Sequence, residues 1–161
     1  MFIHKNSAFQ RDSNWVACSG FFDPLHVGHI EYFKEASQYG NVIVIVNSDA
    51  QARMKKGKPF MPVLERMKIV SELKYVQDVI EAIDEDITVC KTLELIRPKF
   101  FIKTADRKLL DGSLPEFSCC TKMGIKMIDG KGQKVQSSSK LVKDYSKQSN
   151  SYHDVEEFYK D

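Results

Sequence analysis

The chain has 161 residues, 42% of them apolar and 29% charged, a composition that supplies one ordinary hydrophobic core and excludes both a disordered default and two full domains. Its 24 Lys and Arg against 22 Asp and Glu leave a formal net charge of +2. That is far from the excess marking a polybasic membrane binder or a nucleic-acid sheath, so no nucleic acid is expected as a partner, whereas a small phosphorylated ligand is compatible.

Trp15-Val16-Ala17-Cys18, closed by Ser19-Gly20, reads as a buried strand feeding a turn. From His26 the period changes to helical, with Val27, Ile30, Phe33 and Ala36 on one stripe and Gly40 where a C-cap would fall. Residues 41–46 are β-branched and apolar, the mark of a strand covered on both faces. A polar, basic loop is predicted over 47–62, then a helix over 64–73, a strand over 76–82, a helix over 88–96 and a strand over 100–103, with Pro98 as the stop between the last two. A loop rich in charge and glycine leads to a short helix over 115–121 and a strand over 125–128. Gly130-Lys131-Gly132 and a helix from about Ser138 follow. This alternation predicts an α/β architecture, a doubly wound parallel sheet of about five strands with right-handed crossovers. In such sheets ligands sit at the carboxyl ends of the strands, where the strand order reverses. The domain is expected over 14–145, flanked by an N-terminal arm over 1–13 and a polar C-terminal tail over 146–161.

The longest strongly apolar run, 42–46, is far shorter than the ~20 residues of a membrane helix. Met-Phe-Ile-His-Lys-Asn-Ser lacks the basic, apolar and small-residue order of a signal peptide. No membrane association and a cytoplasmic setting are the expectations. Cys18, Cys90, Cys119 and Cys120 have no C-x-x-C spacing and read as reduced, structural thiols.

The first strand delivers Gly20-Phe21-Phe22-Asp23-Pro24-Leu25-His26-Val27-Gly28-His29 directly into a helix. Backbone N–H groups at a helix start attract phosphate, and Gly20 and Gly28 carry no side chain to block its approach. His26 and His29, three apart, share a helical face and can point at one anion. The same residues could instead serve as a helix cap or as half of a metal site, although no third and fourth metal ligand is evident. The chain contains neither a P-loop nor G-x-G-x-x-G.

Gly20-Phe21-Phe22-Asp23 followed by His26-Val27-Gly28-His29 resembles the signature of the cytidylyltransferase-like, H-x-G-H nucleotidyltransferase superfamily, whose fold is Rossmann-like. The resemblance runs over about 14–145. It includes Asn47-Ser48-Asp49, Lys56-Gly57-Lys58-Pro59, Glu65-Arg66, Arg97-Pro98, Lys103 and Ser137-Ser138-Ser139 in family order. The likeness is to the adenylyltransferase part of bifunctional ADP-heptose synthases and, next, to glycerol-3-phosphate cytidylyltransferase.

The resemblance implies attack by an acceptor's phosphate or phosphonate oxygen on the α-phosphate of a nucleoside triphosphate, with release of pyrophosphate. By the same implication His26, His29, Lys58 and Arg66 are catalytic, meeting phosphate charge. Gly20, Phe21, Phe22, Asp23, Gly28, Asp106, Ser137, Ser138 and Ser139 bind the nucleotide, and Asn47, Asp49, Lys56 and Lys103 bind the substrate. Thr104 and Ala105 stand where the family has glycines before Asp106. Mg²⁺ is expected to arrive on the triphosphate, with no metal site of the protein's own. A homodimer fits the family's habit.

The arginine of the cytidylyltransferases' Arg-Thr-Glu-Gly-Ile-Ser-Thr stretch is missing from Gly132-Gln133-Lys134-Val135-Gln136-Ser137-Ser138, so ATP is expected over CTP. A CTP-dependent enzyme, or a non-catalytic nucleotide-binding domain on the same fold, is the alternative. An aminoacyl-adenylate-forming domain would share the H-x-G-H helix, but no basic patch suited to RNA is evident.

Overall fold

Residues of the two central strands alternate in destination, because successive side chains on a strand point to opposite faces. In the computed structural model, which describes residues 2–4, 14–104, 114–131 and 136–148, β2 (Trp15–Gly20) and β3 (Asn41–Val46) lie parallel at the centre of one sheet. Val16, Cys18, Val42, Val44 and Val46 face one core with Phe33 and Ala36 of α1 (Val27–Ala36) and Met67 and Val70 of α3 (Val63–Ser71). Trp15, Ala17, Ile43 and Ile45 face a second core with Leu93 and Ile96 of α4 (Cys90–Ile96) and Cys120 of α5 (Pro115–Met123). Two covered faces explain why these strands read as continuous apolar runs.

Among the described residues the sheet has six strands in the order β1-β4-β3-β2-β5-β6, with β1 at Phe2–His4, β4 at Asp78–Glu81, β5 at Phe100–Lys103 and β6 at Lys126–Asp129. The parallel pairings join β2 through β6, the five strands expected. The sixth, β1 (Phe2–His4), falls within the predicted N-terminal arm and pairs antiparallel to β4, with Phe2 opposite Ile80 and His4 opposite Asp78. The order reverses between β2 and β5, whose ladder is short, pairing Val16 with Phe100 and Ala17 with Phe101. Beyond that ladder the Tyr32 hydroxyl spans the gap, donating to the Ile102 carbonyl and accepting from the Ser19 N–H at 3.3 Å.

Two local expectations are corrected. The predicted basic loop contains α2 (Asp49–Lys56), started by Ser48, whose side chain accepts from the Gln51 N–H while the Gln51 side chain accepts from the Ser48 N–H. Ser48-x-x-Gln51 is a capping box, a signal present in the sequence and overridden there by the density of polar residues. Gly40 is not the C-cap of α1, a position taken by Ser37. A Cβ on Gly40 would stand 2.3 Å from the Asn14 carbonyl oxygen, which accepts from the Asn41 N–H at 2.9 Å, so glycine is required by close approach of the chain entering β2. The final helix, α6 (Ser138–Gln148), reaches past the predicted start of the tail. The four cysteines are free thiols, with Cys18 and Cys120 buried.

Candidate active site

The turn after β2 is shaped by Phe22, a non-glycine residue in the left-handed region at φ 53°. Its ring folds back over Gly20, where a Cβ would meet it at 2.9 Å, and packs against Phe33 in the core. Such backbone costs on the order of 1–3 kcal/mol and persists where surrounding packing holds it. The turn thus delivers the chain to His26 at a fixed angle.

His26 is the N-cap of α1. Its Nδ1 accepts from the Gly28 N–H at 3.1 Å, and in return the His26 N–H donates to Nδ1 of His29 at 3.1 Å. An accepting nitrogen must hold its lone pair, so each neutral ring carries its proton on Nε2. The imidazoles stack with centroids 3.7 Å apart, and Phe22 meets the His29 ring edge-on at 4.9 Å. Burial first, then His26 and Lys56, push the His29 pKa down to about 3. At neutral pH His29 is therefore an uncharged hydrogen-bond donor through Nε2. The cap reading and the anion-site reading of these histidines are compatible, since one nitrogen of each ring serves the helix and the other does not.

A cavity of about 480 Å³ opens at the carboxyl ends of β2 and β5, where the strand order reverses. Gly20, Phe21, Phe22, His26, Gly28 and His29 form one wall. Asn47 and Lys56 border it from the β3 side, and Lys103 from the end of β5. Ser137, Ser138 and Ser139 close it at the start of α6, where Ser137 Oγ accepts from the Lys140 N–H and Ser138 Oγ donates to the Pro24 carbonyl at 2.7 Å. The serine turn is thereby pinned to the loop that carries the histidines.

Four expected site residues are placed elsewhere. Arg66 is fully buried: Nε donates to the Met61 carbonyl, one terminal nitrogen to the carbonyls of Phe21 and Asn47 at 2.8 Å each, and the other to Asp49 at 2.7 Å. Its planar fork ties three loops together and does not face the cavity, because the carbonyls left over by these turns need buried donors. Asp49 is Arg66's partner and also accepts from the Val63 N–H. Asp23 spends its oxygens on the N–H groups of Phe60 and Met61, both at 2.7 Å, with Lys56 Nζ 3.5 Å away. Lys58 is exposed and outside the cavity lining, since the turn through Gly57, at φ 90°, follows the end of α2. Asp106 lies outside the described residues.

Lys55 and Lys56 supply the positive charge on that side instead. Their ammonium groups lie 5.4 and 4.9 Å from the Phe21 ring centroid, and both residues line the cavity. Sequence reading also passed over Gln51, fully buried, whose amide donates to the carbonyls of Asp86 and Thr88 and accepts from Asn47. It fixes the loop bearing Ile87 and Val89, which line the same cavity. Among the described residues no three His, Cys, Asp or Glu side chains are grouped to hold a metal ion, and no helix is long and apolar enough to cross a membrane.

A sheet wound on both faces, with a cavity at the switch point where such sheets hold their ligands, defines a doubly wound α/β class of protein. The cytidylyltransferase-like family model matches residues 17–114, and the chain belongs to that family. It is 37% identical to the bifunctional protein HldE of Geobacter metallireducens over 99 residues, covering 60% of this chain and 20% of that protein. The HldE of Erwinia tasmaniensis is 37% identical over 111 residues, covering 67% of this chain and 23% of that one. The chain thus spans about a fifth of the length of these curated relatives. Among solved structures it is similar to a lipopolysaccharide core biosynthesis protein from Thermoplasma volcanium, with TM-score 0.64 and 26% identity over 76% of this chain and 99% of that one.

Proposed function

We propose that the chain is a nucleotidyltransferase that moves a nucleoside monophosphate, preferentially from ATP, to a phosphorylated sugar or alcohol and releases pyrophosphate. The observation that carries this reading is the histidine pair. Each Nδ1 is engaged at the start of α1, so each neutral ring holds its proton on Nε2. An oxygen of the acceptor phosphate attacks the α-phosphorus, the bond from that phosphorus to the bridging oxygen breaks, and the electron pair leaves with pyrophosphate. No covalent intermediate is required, so the protein's contribution is placement and charge neutralisation. His26 and His29 donate hydrogen bonds to phosphate oxygens as charge builds there, at no cost in reorientation. Lys55 and Lys56 counter the remaining charge, and the serine turn at α6 offers hydroxyl and N–H donors. Arg66 and Asp23 act indirectly by fixing the loops.

Mg²⁺ would be held by the triphosphate's own oxygens, where it shields charge. A cytoplasmic setting follows from the same reading. Pyrophosphate release assayed with ATP, CTP, GTP and UTP against a panel of phosphorylated sugars and alcohols tests it. Turnover with at least one pair is expected, and binding of nucleotide without release in any pair would leave a non-catalytic binding domain.

A further inference from the structure

The cavity lining also contains a buried carboxylate that the phosphate chemistry does not use. Glu116, the second residue of α5, is 5% exposed and borders the cavity, and its Oε2 is sealed from solvent with no hydrogen-bond partner. Its Oε1 lies 3.9 Å from Nζ of Lys103, beyond hydrogen-bond length, while that ammonium donates to Ser19 Oγ at 3.3 Å and sits 4.8 Å from the Phe101 ring centroid. A buried carboxylate oxygen without a hydrogen-bond partner is costly and calls for an explanation; Asp78 Oδ2 is a second such atom but does not border the cavity, whereas Glu116 does. Of the three acids that line the cavity, Glu31, Glu35 and Glu116, only Glu116 is buried. A carboxylate repels phosphate and accepts only from donors. Lys103 beside it donates. A sugar hydroxyl can give a hydrogen bond to the one and accept a hydrogen bond from the other.

We propose that Glu116 and Lys103 form a hydroxyl-recognising subsite, Glu116 accepting from and Lys103 donating to one hydroxyl of a sugar. The inference rests on the nucleotidyltransferase reading for the presence of sugar-bearing ligands. Rotation about the last carbon–carbon bond of the Glu116 side chain, a broad and shallow torsion, turns either oxygen toward the cavity. The hydroxyl belongs either to the nucleotide's ribose or to the acceptor. Both present the same chemistry, and a site built to bond a hydroxyl rejects ligands that lack it.

Calorimetric titration of wild type and Glu116→Gln with ATP, 2′-deoxy-ATP, 3′-deoxy-ATP, glucose 1-phosphate and inorganic phosphate tests this. If ribose is read, Glu116→Gln weakens ATP at least tenfold and levels the difference between ATP and one deoxy analogue. If the acceptor is read, it weakens glucose 1-phosphate at least tenfold and leaves inorganic phosphate unchanged. Equal binding of every probe by the two proteins overturns the inference while leaving the nucleotidyltransferase reading standing. A wild type that binds none of the probes overturns both. Should Glu116→Gln lose its cooperative melt, Glu116→Asp keeps the charge, draws it back by one methylene, and is held to the same outcomes.

Discussion

At the scale of single residues, the histidine pair divides its work between two nitrogens, and substitutions can separate them. His26→Asn retains an oxygen near the position of Nδ1 and so keeps the cap on Gly28, yet loses the Nε2–H. Its turnover is expected to fall about 10²–10³-fold with a nearly unchanged melt, the scale of removing one preorganised donor. His26→Ala should lose the same turnover and, in addition, about 1 kcal/mol of stability with the cap. Steady-state kinetics beside thermal melts distinguish them, and full activity of His26→Asn would remove the donor from the mechanism. His29 carries a pH signature as well. Its folded pKa of about 3 lies below the unfolded 6.5, so between these values the unfolded chain takes up a proton that the folded one refuses. Its contribution to stability is complete above pH 6.5 and is lost as the pH falls toward 3. His29→Gln should flatten that part of the stability profile, measured by denaturant titration at several pH values.

Among elements, the helix inside the predicted loop decides which lysines line the cavity. Because α2 continues to Lys56, Lys55 and Lys56 leave its last turn over Phe21, and Lys58 leaves a following turn outside the cavity. Lys55→Ala and Lys56→Ala are each expected to raise a substrate KM about tenfold, the loss of one charge-assisted contact of roughly 1.4 kcal/mol. Lys58→Ala should leave KM within about twofold. The loops are in turn held by Arg66, whose removal strands three carbonyls and Asp49. Arg66→Ala is expected to cost about 3–5 kcal/mol in chemical denaturation, with Arg66→Lys recovering only part because an ammonium cannot reproduce the planar fork. A stable Arg66→Ala with lost activity would instead place the guanidinium on substrate.

For the molecule as a whole, ligand binding and stability are linked by mass action. Mg²⁺ with ATP at a hundredfold excess over its Kd should raise the unfolding free energy by about 2.7 kcal/mol, read in a calorimeter as a higher Tm. CTP at the same concentration should raise it less. A larger shift with CTP would reverse the proposed preference for ATP, and no shift with any triphosphate would argue against nucleotide binding.

The sequence by itself determined the winding of the sheet. Strands 41–46 and 100–103 and the helix stripe of Phe33 and Ala36 were legible because burial on one face or two leaves a period in the chain, and that period is a local property. Histidines three apart at a strand end were equally legible. The tertiary structure decided the rest, since it depends on which distant groups meet. Arg66 and Lys58 carry the same charge in the sequence, yet one is consumed by the carbonyls of loops up to 45 residues away and the other stands in solvent. Tyr32 looks like one more apolar residue of a helix until β2 and β5 part and leave an N–H and a carbonyl for its hydroxyl to join. Glu116 reads as an ordinary acid in a helix's first turn, and only the tertiary placement of α5, packed on α4 and β6, puts its carboxylate beside Lys103 at the cavity. Hydrophobic periodicity is written residue by residue, whereas a hydrogen-bond partner is assigned only when the chain has closed, which is why the fold could be read in advance and the duties of the charged residues could not.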